Sequence, residues 1–215
     1  MLPVILKLKL ATAAAAGLAA SASTVPLPAE AVAMVVAQRT TAPVEVKLYD
    51  ENLRVAATVG IRRDGTMDEA TAASVKRLFR CRQTHRERPI ARRTLAMLAD
   101  LAERYQPRPI ELVSAYRVQR GESPTSPHRD ARALDFRIRG VKLTDVRDYL
   151  WRTYTEVGIG WYPSEEFIHM DSRPSLHDTA WTFLGGDNHY HPYWAERARR
   201  PVIEPVVPHG HRPGV

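Results

Sequence analysis

One segment limits the folds open to this chain more than any other. Arg132 to Arg139 (RALDFRIR) alternates apolar and polar side chains, yet carries a carboxylate in its middle. In an extended strand successive side chains point to opposite faces. Leu134, Phe136 and Ile138 then share one face, and Ala133, Asp135 and Arg137 the other. With the first face against a core, Asp135 faces a cleft. A second segment, Phe167 to Asp171 (FIHMD), follows the same rule: Phe167, His169 and Asp171 share a face. His169 and Asp171 would then stand ~7 Å apart along the strand. The chain needs a sheet with one covered face and one working face.

The rest of the pattern supplies that sheet and its cover. Val44, Val46 and Leu48 alternate with polar neighbours, Asp50-Glu51-Asn52 makes a turn, and Leu53 to Ile61 is again β-rich, which predicts a hairpin over 44–61. Thr66-Met67-Asp68-Glu69 is a capping-box pattern opening a helix to about Arg80. A second helix is expected from about Ala91 to Tyr105, with Leu95, Leu98, Ala102 and Tyr105 at helical spacing and Pro107 and Pro109 beyond its end. Ile110 to Val113 reads as a short buried strand, and Arg117 to Pro127 as a surface loop. Thr144 is placed to cap a third helix running to about Tyr154. The expected fold class is α+β: a small antiparallel sheet bearing a metal site, with helices packed on its other face.

Composition narrows the function classes. The 215 residues contain 44% hydrophobic and 26% charged side chains, which places the chain among globular proteins rather than disordered or fibrous ones. A single cysteine, Cys81, excludes an intrachain disulfide framework and a Cys-rich zinc module. The net charge of +7 is spread over many arginines, and no aromatic-basic stripe or helix-turn-helix signature accompanies it, so nucleic acid is not the expected partner. No uninterrupted apolar run reaches the ~18 residues of a transmembrane span, since Lys7 and Lys9 interrupt the first.

A basic start, an Ala/Leu-rich middle and the small residues Ser21, Ala22 and Ser23 have the parts of an export signal. The expected organisation is a signal peptide over 1–23, a linker over 24–43, a folded domain over 44–184 and an extended His/Pro/Arg-rich tail over 185–215. The expected location is outside the cytoplasm.

Three places carry the chemistry: Ser126-Pro127-His128, Asp135, and His169-Met170-Asp171. Neutral imidazoles and a carboxylate are ligands of catalytic Zn²⁺, and three protein ligands leave a fourth position open. His128 closes a loop seven residues before Asp135, so the loop can fold back and bring both groups to one point. Of His169 and Asp171, one can ligate metal while the other works on water. His189 and His191 form a further His-x-His, read as a polar tail segment and held as substitute ligands for His169.

The runs ELVSAYR, SPHRDARALDFRI and VGIGWYPSEEFIHMD resemble the zinc peptidases of the D-Ala-D-Ala carboxypeptidase/lysostaphin/hedgehog group, and within it the murein endopeptidase K branch. The resemblance spans about residues 44 to 181. It implies one zinc ion held by His128, Asp135 and His169, and a periplasmic or otherwise exported enzyme acting on peptidoglycan stem peptides or their cross-links. A carboxypeptidase trimming free stems and a catalytically silent wall-binding module are the other readings within the group. Ala115 and Ala131 stand where that branch usually has Gly, Val118 stands for a Ser, and the stretch after Asp171 (SRPSLHDTAW) is longer than usual.

Two carboxylates compete for the role of base. Glu166 precedes His169 by three residues, as in the Glu-x-x-His of the wider group, whereas Asp171 matches the His-x-Asp of the closer branch. Strand parity favours Asp171. Tyr116-Arg117 resembles a Tyr-Arg motif whose Arg polarises the scissile carbonyl. A guanidinium suits that role because it donates two parallel hydrogen bonds. Ser126 is placed to contact substrate or to shape the turn before His128.

Overall fold

The computed structural model describes residues 42–174 and 177–199. The expected signal segment, nearly all of the linker and the end of the tail lie outside the described residues. The predicted hairpin is present: β1 (Val44–Asp50) pairs antiparallel with β2 (Val55–Ile61), from Val44↔Ile61 to Asp50↔Val55. Buried Asp50 fixes the turn by accepting from the backbone N–H of Asn52 and Leu53, both at 2.9 Å.

Helix α1 (Glu69–Leu78) follows, with Val75 and Phe79 buried. Its cap is Asp68, whose Oδ1 accepts from Thr71 N at 2.7 Å. The capping box expected at Thr66 is therefore not formed; Thr66 instead donates its hydroxyl to Asp64 at 2.6 Å, inside the preceding turn. Helix α2 (Arg92–Tyr105) buries Leu95, Leu98 and Ala102 of the expected face; Tyr105 is half-buried, and Leu101, outside the expected set, is buried as well. After β3 (Ile110–Ser114) and β4 (Ala133–Ile138), helix α3 (Leu143–Thr153) starts one residue before Thr144, with no side-chain cap. Thr144 thus lies in the first turn instead of capping it.

The glycine-aromatic stretch is a strand, β5 (Val157–Tyr162), and β6 (Phe167–Ser172) contains the His-x-Asp. The expected extended tail is corrected in its described part. β7 (Thr179–Leu184) turns through Gly185-Gly186 into β8 (Asp187–Tyr190), and helix α4 (Tyr193–Arg199) follows. Both turn glycines have positive φ, 62° and 93°, which a two-residue hairpin loop of this hand demands.

The sheet is neither small nor wholly antiparallel. Among the described residues eight strands run in the order β2-β1-β3-β4-β6-β5-β7-β8, and the pairs β1/β3 and β5/β7 are parallel. Parallel neighbours need a crossover; β2, α1 and α2 intervene between β1 and β3, and β6 with the segment after it between β5 and β7. The α+β class stands.

Helices α2 and α3 pack on the sheet face bearing Leu134, Phe136, Ile138, Ile159, Ile168 and Met170, all at most 2% exposed. Burying one such side chain is worth about 1.5–3 kcal/mol, so this layer fixes which face of β4 and β6 points away from the helices. That other face carries Asp135, His169 and Asp171. Helix α4 leans on α3 through Trp151, whose Nε1 donates to Ala195 O at 2.9 Å. Arg147 lies between the rings of Trp161 and Trp194.

Candidate metal centre

Strand register builds the site. Ser114 is opposite Asp135, Asp135 opposite His169, His169 opposite Gly160, Gly160 opposite Trp181, and Trp181 opposite Tyr190. One cross-strand row thus runs from the carboxylate to the sheet edge on the face away from the helices. Gly160 is required in it: a Cβ there would come within 2.5 Å of the Trp181 ring. His128 joins from the loop between β3 and β4. That loop reverses through Ala131, whose φ of 53° lies in the left-handed region, where glycine is the least strained residue.

Three side chains converge. Asp135 Oδ1 is 2.8 Å from His169 Nδ1, Asp135 Oδ2 is 3.3 Å from His128 Nε2, and the two imidazole nitrogens are 3.2 Å apart. All three residues are at most 5% exposed. Ligands at ordinary Zn–N and Zn–O lengths in a tetrahedron stand about 3.3 Å from one another, so the spacing and the donor types fit a small divalent cation. Among the described residues this is the group of His, Cys, Asp or Glu side chains whose ligand atoms gather within 4.8 Å. His128 Nδ1 lies 2.5 Å from Ala115 O. A proton on Nδ1 donates to that carbonyl and leaves the Nε2 lone pair facing the cluster.

The groups shift one another's protonation. Burial pushes the Asp135 carboxyl up, but the facing His128 and His169 outweigh it and hold the carboxyl well below its ordinary range. Burial pushes His169 down, while hydrogen bonds to Asp135 and Asp171 more than reverse that and raise it to about 9. Without metal the cluster holds a proton among these groups; a cation would replace it.

The remaining expected residues fall as follows. Arg117 Nη1 donates to Asp135 Oδ2 at 2.9 Å, and the same guanidinium pairs with Glu122 at 2.9 Å. Ser126 Oγ accepts from His128 N at 3.3 Å. Asp171 Oδ2 is 3.1 Å from His169 Nε2, the ring nitrogen turned away from Asp135. Glu166 is exposed, in the turn before β6 with φ of 57°, and its backbone carbonyl accepts from Arg137. The parity comparison of Glu166 with His169 therefore does not apply, because the strand begins after Glu166. His189 and His191 are exposed and not part of the cluster, His189 Nε2 lying 3.3 Å from Leu184 O.

A cleft of about 480 Å³ opens over the cluster, lined among others by Arg117, Ser126, His128, His169, Trp181 and Tyr190. Of the aromatic pair at 161–162, Tyr162 lines the cleft and accepts from Trp181 Nε1 at 3.2 Å, whereas Trp161 turns to the helices. Sequence reasoning missed Arg173, Asn188 and Tyr190. For Arg173 a signal existed, since position 173 continues the alternation of 169 and 171.

An α+β domain with a buried His/Asp/His cluster under an open cleft has the construction of a metallopeptidase. The chain matches the family described as peptidoglycan L,D-endopeptidase MepK over residues 38–177, more than half its length, and belongs to that family. It is 31% identical over 80 residues to the peptidoglycan L,D-endopeptidase MepK of Escherichia coli K12, covering 33% of this chain and 43% of that protein. It is 40% identical over 58 residues to a probable peptidoglycan L,D-endopeptidase MepK of Haemophilus influenzae, covering 27% of this chain and 31% of that protein. The alignments thus span less than half of these curated relatives. No solved structure matches the chain significantly. Among the described residues no helix is long and apolar enough to cross a membrane.

Proposed function

We propose that the protein is an exported zinc-dependent peptidase that hydrolyses peptide bonds in peptidoglycan cross-links, with the L,D-bond named for its relatives as the first substrate to test. The observation that carries this reading is the convergence of His128 Nε2, His169 Nδ1 and the Asp135 carboxylate within one coordination sphere beneath a cleft. These three residues would hold one zinc ion. Zinc bound there supplies a water activated at about neutral pH, with a pKa near 7, and a Lewis acid for the scissile carbonyl.

The chain's own groups do the rest. Arg117 is 31% exposed, enough to meet a ligand in the cleft, and its contact with Asp135 aims it at the cluster. There it steadies the oxygen that gains negative charge as the amide carbonyl is attacked, a task suited to preorganised donors. Ser126 shapes the loop that carries His128 and offers a hydroxyl to bound peptide. Trp181 and Tyr190 wall the cleft on the side of the β7–β8 hairpin, beyond the family-matched segment. Of the two carboxylates weighed for the proton step, Glu166 sits in an exposed turn, and Asp171 borders the cleft with its side chain buried against His169.

Digestion of purified peptidoglycan followed by muropeptide profiling tests the reading. Loss of cross-linked dimers with a matching gain of monomers supports an endopeptidase. Shortened monomers with dimers intact would make it a carboxypeptidase, and an unchanged profile with zinc bound would make it a wall-binding module.

A further inference from the structure

His169 can serve a cation at Nδ1 only if the proton of its neutral ring sits on Nε2. The atom waiting for that proton is Asp171 Oδ2, at 3.1 Å. The carboxylate is itself held from the other side. Arg173 Nε donates to Asp171 Oδ1 at 3.0 Å and Arg173 Nη2 donates to Asp171 Oδ2 at 3.2 Å. Arg173 Nη1 donates in turn to Thr179 Oγ1 at 2.7 Å, which ties the arrangement to β7. Both carboxylate oxygens are engaged, and Asp171 is fully buried.

The backbone leaves room for this pair. Gly158 lies opposite Asp171 across β5 and β6, and a Cβ on it would stand 2.1 Å from Asp171 Oδ2 and 2.5 Å from Arg173 Nη2. The β5 residues facing away from the helices are therefore glycine twice for two different neighbours: Gly158 for the Asp171–Arg173 pair and Gly160 for Trp181.

We infer that Asp171 and Arg173 are positioning residues: Asp171, clamped by Arg173, fixes the tautomer and tilt of His169 and does not itself take the proton from the attacking water. This rests on the metal reading above. The reasons are geometric. A base must lie within hydrogen-bond reach of the proton it removes, whereas Asp171 lies beyond the far nitrogen of the ring, on the side away from His128 and Asp135. A carboxylate bonded to the second nitrogen of a ligating histidine orients the ring and raises its basicity, and losing such a partner weakens metal binding about 10- to 100-fold.

The test measures zinc affinity, by competition with a chromophoric chelator, together with turnover on purified peptidoglycan, for the wild-type full chain, Asp171→Ala, Asp171→Asn and Arg173→Gln. Thermal unfolding of each is followed alongside. The expected result is a zinc affinity about 10- to 100-fold weaker in Asp171→Ala. Asp171→Asn, which keeps an oxygen acceptor for the ring proton, should recover a large part of both affinity and turnover. Arg173→Gln, which leaves the Asp171–His169 bond in place, should lose less than Asp171→Ala. Should Asp171→Ala not fold, the comparison of Asp171→Asn with wild type decides alone. Wild-type zinc affinity in Asp171→Asn with turnover abolished, and the acid limb of its pH profile gone, would overturn the inference and make Asp171 the base. A wild-type protein that takes up no zinc would be a different result, removing the metal reading and this inference with it.

Discussion

Arg117 is the residue whose removal should separate catalysis from metal binding. Its side chain reaches the cluster through Asp135, its backbone N–H donates to His128 O at 3.2 Å whatever the side chain, and part of the guanidinium is open to the cleft. Arg117→Ala is expected to lower turnover on peptidoglycan about 10²- to 10³-fold, the usual cost of losing a preorganised oxyanion donor, while zinc still binds. Equal turnover in the variant would remove Arg117 from the mechanism. His169 gives a second prediction, for the protein stripped of metal. Its folded pKa of about 9 lies above the ordinary 6.5. The stability it contributes is therefore fully present below pH ~6.5 and is lost as pH rises through about 9. Urea unfolding of the metal-free protein at pH 6, 8 and 10 should show midpoints falling across that range. A cation at Nδ1 displaces the proton, so the fall should vanish with zinc bound. At this scale the sequence was informative where residue type and strand parity speak together, as at Asp135, His169 and Asp171. It was silent on Ala115, which acts through its carbonyl, because a backbone acceptor looks the same whatever the side chain. Glu166 stands just before the strand expected from Phe167, in a turn of positive φ that the alternation does not reach.

Strand β5 is the element on which the site's shape most depends. Gly160→Ala would force a Cβ to within 2.5 Å of Trp181. Overpacking of that kind costs about 1–3 kcal/mol, and the displaced ring would deform the cleft wall. The expected outcome is a lower unfolding midpoint and a raised KM together; a variant that unfolds like wild type would show that Trp181 has room to move. On the opposite side of the sheet, Leu98→Ala in α2 should cost about 2–5 kcal/mol, as removal of a buried leucine does. Leu184, 47% exposed beside the Gly185-Gly186 turn, should tolerate alanine within about 0.5 kcal/mol. The hairpin β1–β2 and helix α2 were legible because their apolar periods are unbroken. β5 was not, because glycines stand where its side chains on the site face would be, and those glycines are explained only by neighbours 13 to 21 residues away. The β7–β8 hairpin carried a clear signal, Gly-Gly between two strand-like runs, but the histidines and prolines around it read as a tail.

The molecule as a whole is a sheet with an apolar layer of helices on one face and a chemical face on the other. The size of the sheet was not legible: the parallel pairs β1/β3 and β5/β7 join segments far apart in the chain, and short strands do not announce their partners. The two-faced design was legible, because alternation in RALDFRIR and FIHMD separates core from site residue by residue. Everything proposed for the protein depends on the three side chains gathered on the chemical face holding one cation, and metal content measured on the purified full chain tests that most directly. About one equivalent of zinc in the wild type and none in His128→Ala, with both proteins folded, is the predicted result. Wild-type protein free of zinc after purification and after incubation with it, or His128→Ala retaining a full equivalent, would contradict the account.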